Sequence, residues 1–95
     1  MAVFDLVSRR WVLRVLWELS QAESPLTFRD LKGRCADMSS SVLTRRIAEL
    51  REARLVEKDE GGYVLSELGH GLVASLDPLT DWAVTWAAAL EAPRA

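Results

Sequence analysis

The feature that most limits how this chain can fold is an apolar seam near its end. Leu68, Leu72, Leu76, Leu79, Ala83, Trp86 and Leu90 are separated by four, four, three, four, three and four residues, the rhythm of a single stripe along one side of an α-helix. Ser66 stands where a helix N-cap is wanted, so a helical region is expected over about 66–91. Asp77 and Pro78 mark either a restart, with Asp77 as cap and Pro78 at the first helical position, or a kink in a helix that runs through. At 95 residues the chain fits one domain, 1–95, around one core. A chain this short buries a modest share of its surface, and association with a second copy would add to that burial.

The opposite end is also apolar. Val3 to Val7 reads as a turn or two of helix leading into a longer helix from about Arg9 to Ser20. In the longer segment Trp11, Val12, Leu13, Val15, Leu16, Trp17 and Leu19 cover more than one helical face, so burial on two sides is expected. Trp11, Trp17, Trp82 and Trp86 all lie in these first and last helical regions, about 3–20 and 66–91. Large aromatics contribute strongly to cores and interfaces alike. Together with Leu79 they are expected to supply core and a homodimer interface, with an aromatic pocket for a small hydrophobic effector as the alternative.

Between the two ends the elements are short. Gln21 to Leu26, with Pro25, reads as a loop. Thr27 is placed to cap a short helix, with Asp30 three residues on, and Phe28, Leu31 and Cys35 form its apolar face. Ala36 to Met38 is the turn. Ser39 caps the next helix, which carries Val42, Leu43, Ile47 and Leu50 inward and ends near Ala53. Two such helices, over about 27–53, have the proportions of a helix-turn-helix, whose second helix enters the major groove of DNA. Leu55–Lys58 and Tyr63–Leu65 read as strands of a small wing, over about 55–65, with Gly61–Gly62 supplying the positive φ of a tight hairpin. The fold class is therefore mainly α with a two-stranded β-wing, an α+β winged helix-turn-helix.

A net charge of -2 and a pI near 5.3 look unfavourable for nucleic acid, but the charges are unevenly spread. From Arg29 to Lys58 there are eight Lys/Arg against five Asp/Glu, whereas from Asp59 onward six acids face Arg94 as the one base. The middle of the chain suits an anion. Ser40, Ser41, Thr44 and Arg45 fall at the start and exposed side of the second helix, where side chains reach base edges, and Arg45 is the strongest candidate because guanidinium binds guanine O6 and N7 together. Arg29, Lys32, Arg46, Arg51 and Lys58 are candidates for phosphate contacts, which position the protein without reading sequence. At least one arginine of the second helix is expected to pair with Glu49 or Glu52 instead.

Other function classes find little support. Cys35 and His70 are the single cysteine and histidine, which excludes an intrachain disulfide and a thiolate-rich zinc site. No Gly-rich loop, paired acid motif or phosphate cradle accompanies them, so neither an enzyme nor a cofactor or metal is expected. Cys35, on an apolar face, reads as a buried structural residue, and His70 as surface or core filler. The longest apolar run, Trp82 to Leu90, is too short for a bilayer, and no secretory signal is visible, so the expected location is cytoplasmic.

The order of elements and several strings resemble the HxlR-type winged-helix transcriptional regulators, a branch close to the MarR family. The strings are "RRWVLRVLWEL", "LTFRDLK", "MSSSVLTRRIAELREARLVEK", "YVLSELGHGL" and "LTDW". The resemblance covers nearly the whole chain. It implies a dimer joined through the first and last helices that presents two recognition helices to a palindromic operator in double-stranded DNA. Three departures stand out. The wing looks shorter and is tipped by Asp59 and Glu60, which should repel phosphate. No cysteine stands near the first helix, where relatives that sense electrophiles carry one. Arg54 occupies the place of a usual Gly after the recognition helix, a site expected to be left-handed, where simple tolerance of arginine is the expected reading and retention for a phosphate contact the alternative. A winged-helix protein-interaction module that has lost DNA binding, and a regulator controlled by a hydrophobic molecule near the tryptophans, are the alternatives.

Overall fold

The computed structural model describes residues 2–93. Seven elements follow in order: α1 (Ala2–Val7), α2 (Val12–Gln21), α3 (Phe28–Arg34), α4 (Ser40–Glu52), β1 (Val56–Asp59), β2 (Gly62–Leu65) and α5 (Glu67–Glu91). The architecture is a winged helix-turn-helix, mainly helical with one antiparallel hairpin. No helix among the described residues is long and apolar enough to cross a membrane.

Helix α2 is the centre of the packing. It touches α1, α3, α4, β2 and α5, and its Val12, Val15, Leu16 and Leu19 are buried with Leu31 of α3, Leu43, Ile47 and Leu50 of α4, Val56 of β1 and Leu65 of β2. Leu26, Cys35 and Met38 close the core from the connecting segments. Burial of each such aliphatic side chain contributes about 1.5–3 kcal/mol, which makes α2 the residue set that orients the helix-turn-helix. The helix begins later than the apolar pattern implies. Trp11 precedes it with φ 76°, in the left-handed region, and its side chain makes no capping hydrogen bond. The chain turns from α1 into α2 over residues 8–11, so the expected continuous helix from Arg9 is broken at Trp11.

Local capping chemistry sets the remaining helix starts. Thr27 Oγ1 accepts from the Asp30 amide at 3.1 Å while Asp30 Oδ2 accepts from the Thr27 amide at 3.1 Å, a reciprocal capping box. The Thr27 hydrogen bonds hold the Asp30 carboxyl below its ordinary pKa. Ser39 Oγ accepts from the Val42 amide and Ser66 Oγ from the Gly69 amide. The Ser66 hydroxyl also donates to the Arg54 carbonyl at 2.6 Å, which ties the start of α5 to the end of α4.

The wing pairs Val56 with Leu65, Glu57 with Val64, Lys58 with Tyr63 and Asp59 with Gly62. The first strand is shifted by one residue from the expected Leu55–Lys58, the second gains Gly62, and Glu60–Gly61 is left as the turn. Positive φ falls at Gly62 (135°) and not at Gly61, so the Gly-Gly pair does not act as a primed hairpin turn. Gly62 is needed for close approach: a Cβ there would strike the Leu26 carbonyl. Leu26 and Tyr63 exchange backbone hydrogen bonds of 3.1 and 2.7 Å, an isolated bridge that adds a third extended segment where a simple loop was expected.

Helix α5 runs without interruption through Pro78. Its first half lies on the core through Gly69, Leu72 and Val73, where a Cβ at Gly69 would strike the Leu55 carbonyl, and half-buried Leu76 lines a cleft toward α2. The seam does not stay covered. Leu68 faces solvent, and from Leu79 on the helix leaves the core, with Leu79 55 %, Trp82 57 %, Trp86 52 % and Leu90 67 % exposed.

Two features fix α4. At its C-terminus the Leu55 amide donates to the Leu50 carbonyl and the Arg54 amide to the Arg51 carbonyl, the two bonds of a Schellman motif, with Arg54 at φ 63°. On its flank Arg46 Nη1 donates to both Glu49 oxygens at 2.8 Å, Arg46 Nε donates to the Arg10 carbonyl at 2.9 Å, and Arg9 Nη1 stands 3.1 Å from Glu49 Oε2. Partial burial acts to raise the Glu49 pKa, but the hydrogen bonds from Arg46 and Arg9 outweigh it and hold the carboxyl below its ordinary value.

Glycine reaches positive φ without the Cβ penalty of about 1 kcal/mol, so Arg54→Gly is expected to raise the melting temperature by a few degrees. A fall in calorimetric Tm would show that the left-handed cap is not the constraint it appears from its geometry. The Glu49 carboxyl is depressed in the folded state, so its stabilisation is fully present above the ordinary value of 4.5 and is lost as pH falls through the lower folded value. Glu49→Gln is therefore expected to flatten the acid limb of the Tm–pH curve, and an unaltered limb would show that the pair adds no stability.

Candidate nucleic-acid interface

The turn from α3 to α4 leaves the start of α4 projecting. Cys35 and Met38 are buried beneath it, with the Met38 amide donating to the Cys35 carbonyl at 2.9 Å, while Ser39 caps the helix. With Leu43, Ile47 and Leu50 held in the core, the opposite side carries Ser40, Ser41, Thr44 and Arg45, all exposed. The four lie together on the N-terminal turns of one helix, as the major-groove reading requires.

Their donors differ in availability. Thr44 Oγ1 donates to the Ser40 carbonyl at 2.8 Å, and Ser41 Oγ lies 3.3 Å from Ser39 Oγ. Both hydroxyls have local partners to give up before reaching a base. Arg45 has none among the described residues, so its guanidinium is free to form a bidentate contact.

The five cations assigned to phosphate divide. Arg29 is exposed on the first turn of α3, and Arg51 is exposed near the end of α4. Lys58 is exposed on β1, its Nζ 5.7 Å from the centre of the Tyr63 ring. Lys32 is half-buried and its Nζ reaches back to the Ala36 carbonyl at 3.4 Å. Arg46 is different in kind: its side chain is 14 % exposed and its donors are engaged by Glu49 and the Arg10 carbonyl. It secures α4 to the α1–α2 turn, so the phosphate assignment does not suit it. The Arg46–Glu49 pair is visible in the sequence as an i,i+3 spacing, but the Arg9 and Arg10 contributions are 36 or more residues distant and leave no local signal.

A second charged cluster braces the other side. Glu18, buried on α2, receives Arg14 Nε at 2.8 Å and has Arg34 Nη1 at 3.8 Å, while Arg14 Nη2 donates to the Arg34 carbonyl at 2.9 Å. The carboxylate holds the end of α3 against α2. Cys35 beside it lies in the core, where burial pushes its thiol pKa up. His70 is exposed.

The indoles do not form one pocket within the chain. Trp82 and Trp86 stack on each other, with ring centroids 5.6 Å apart and planes 9° from parallel. Trp17 and Leu79 line a cleft of about 170 Å³ between α2 and α5, below the roughly 300 Å³ at which small-molecule sites usually begin. Trp11 lies elsewhere, half-buried against the core, with the Arg10 guanidinium 5.1 Å over its ring.

Residues 6–91 match the family model described as HxlR-like helix-turn-helix. An uncharacterised HTH-type transcriptional regulator of Bacillus subtilis (strain 168), YvaP, is 26% identical over 89 residues, which is 86% of this chain and 81% of the relative. Among solved structures, a possible HxlR family transcriptional factor from Thermoplasma volcanium GSS1 superposes with a TM-score of 0.80 at 27% identity, covering 90% of this chain and 81% of the other. Quinone-bound YodB from B. subtilis gives a TM-score of 0.81 at 26% identity, over 88% and 93%. The match of fold, element order and sequence across the helix-turn-helix and both flanking helices places this chain in the HxlR-like helix-turn-helix family of DNA-binding transcriptional regulators.

Proposed function

We propose that the protein regulates transcription as a homodimer that reads a palindromic operator through two α4 helices. The observation that carries this reading is the division of labour among adjacent arginines: Arg46 is engaged by Glu49, while Arg45 stands exposed with its donors free beside Ser40, Ser41 and Thr44. In this reading Arg45 takes a guanine edge, the hydroxyls make shorter contacts, and Arg29, Lys32, Arg51 and Lys58 meet phosphates. Dimerisation is supported by the uncovered distal half of α5, where Leu79, Trp82, Trp86 and Leu90 are each more than half exposed, and by Phe4 of α1, 65 % exposed. An apolar surface of this kind on a monomer is characteristic of an interface.

YodB has been solved with a quinone bound. In this chain Cys35 is buried and its pKa is pushed up by desolvation, which disfavours the nucleophilic thiolate. With the indoles dispersed as well, an effector is not part of the proposal.

Selection from random duplex DNA at two salt concentrations tests it. A palindrome with half-sites about one helical turn apart is the expected product, and failure to retain any duplex at low salt would favour a protein-interaction module. On the recovered operator, Arg45→Ala is expected to weaken binding by about 1–3 kcal/mol with far less loss on random duplex. Equal loss on both would reassign Arg45 to phosphate. Trp82→Asp or Trp86→Asp is expected to give monomers in sedimentation, and an intact dimer would move the interface away from distal α5.

A further inference from the structure

Between the C-terminal end of α4 and β1 lies an open groove of about 680 Å³ lined by Arg51, Glu52, Arg54, Val56, Glu57 and Lys58. Three cations and two carboxylates share it, and none of the five forms an ion pair among the described residues. All five residues are exposed. Arg51 also lies seven residues beyond Thr44, so the groove continues the side of α4 that carries Thr44, while Glu52 stands seven residues beyond Arg45.

Arg54 is the unusual member. Its backbone is held at φ 63° from three directions: its amide donates to the Arg51 carbonyl, its carbonyl accepts from Ser66 Oγ, and the next amide donates to Leu50. The cap needs a left-handed residue, and glycine would serve it at lower cost. What arginine adds is a cation whose attachment point is fixed by the fold. The acidic wing tip, Asp59 and Glu60, disfavours phosphate nearby, so a contact at the base of the wing is where this short hairpin can approach a duplex backbone.

We infer that this groove is a clamp for the DNA phosphodiester backbone in which Arg54, with Arg51 and Lys58, supplies positive charge at the cost of a strained helix cap. The inference rests on the DNA-binding reading above and adds a site to it. Occupied by a phosphate, the groove contributes affinity without base preference, and the neighbouring Glu52 and Glu57 reduce its net charge to +1, so that loss of the Arg54 cation alone removes the positive excess.

The test separates the two readings. Binding of a mixed-sequence duplex and of the selected operator is followed by fluorescence anisotropy across a salt series for the unaltered protein, Arg54→Gly, Arg54→Lys and Arg45→Ala. Arg54→Gly is expected to melt higher yet bind more weakly. Its plot of log affinity against log salt becomes shallower by about 0.9 for each protomer engaged, so the affinity ratio between about 50 and about 200 mM salt shrinks by about threefold per protomer. Arg54→Lys is expected to keep the slope. An unchanged slope in Arg54→Gly would overturn the clamp, and if Arg45→Ala still lost operator preference the base-reading assignment would stand without it. Absence of duplex binding by the unaltered protein at low salt would overturn both.

Discussion

A helix of 25 residues that packs on the core through Leu72 and Val73 leaves half of itself without cover. That mismatch governs the molecule. At 1.5 Å per residue α5 is roughly 37 Å long, and the chain measures 56 Å along its longest axis but 28 and 25 Å across. The compact part is the helix-turn-helix with its wing, and the distal α5 is an arm whose apolar residues gain little from this chain. Stacking of Trp82 on Trp86 reduces the exposed ring area but leaves each indole more than half open. A matching arm from a second copy would bury the same surface twice, which is the economy of an isologous interface.

The compact part, in turn, is arranged to hold α4 still. Three kinds of restraint act on it: aliphatic burial of Leu43, Ile47 and Leu50 along one side, the Arg46–Glu49–Arg9 chain on its flank, and the Schellman cap joined to Ser66 at its end. Each arrives from a different element, so α4 cannot rotate without breaking a core contact, an ion pair or a cap. This matters for recognition because a bidentate contact to a base edge depends on where the helix places the side chain. Arg46 and Arg45 are adjacent in sequence but 100° apart around the helix, which is why one fixes the helix and the other is left exposed.

What the sequence disclosed and what it concealed follow the range of the interactions. Thr27 with Asp30, Ser39 and Ser66 act within three residues, and all three caps were legible. So was the apolar face of α4, since its period is local. The fate of Arg46 was half legible: its spacing to Glu49 is helical, but its bond to the Arg10 carbonyl depends on how α1 packs. The Leu26–Tyr63 bridge joins residues far apart in sequence, and the Gln21–Leu26 composition reads as loop. Trp11 carries no mark of a left-handed residue, whereas Arg54 was legible as one because of the glycine that relatives place there. Leu68 keeps the seam's period yet faces solvent, because periodicity reports which residues share a face and not whether anything covers that face. The candidate base readers share an exposed face as their spacing implies, but neither their contacts nor their partners in DNA are encoded in that spacing.

The net negative charge is compatible with a DNA-binding surface because charge acts over a limited distance. At physiological ionic strength the screening length is about 8 Å. Asp77, Asp81 and Glu91 lie ten or more residues into α5, roughly 15 Å or more along the helix from its start, so their field is largely screened at the wing. Asp59 and Glu60 are not remote, since they form the tip of the hairpin itself. Their repulsion acts on any duplex backbone that approaches the tip, whereas the base of the wing presents Arg51, Arg54 and Lys58. With Glu52 and Glu57 beside them, these three cations leave the base a net charge of +1, against the two carboxylates at the tip. In the DNA-binding reading proposed above, a duplex lying against α4 would be drawn toward the base of the hairpin and kept from its tip, so the short acidic wing would orient the DNA without gripping the minor groove.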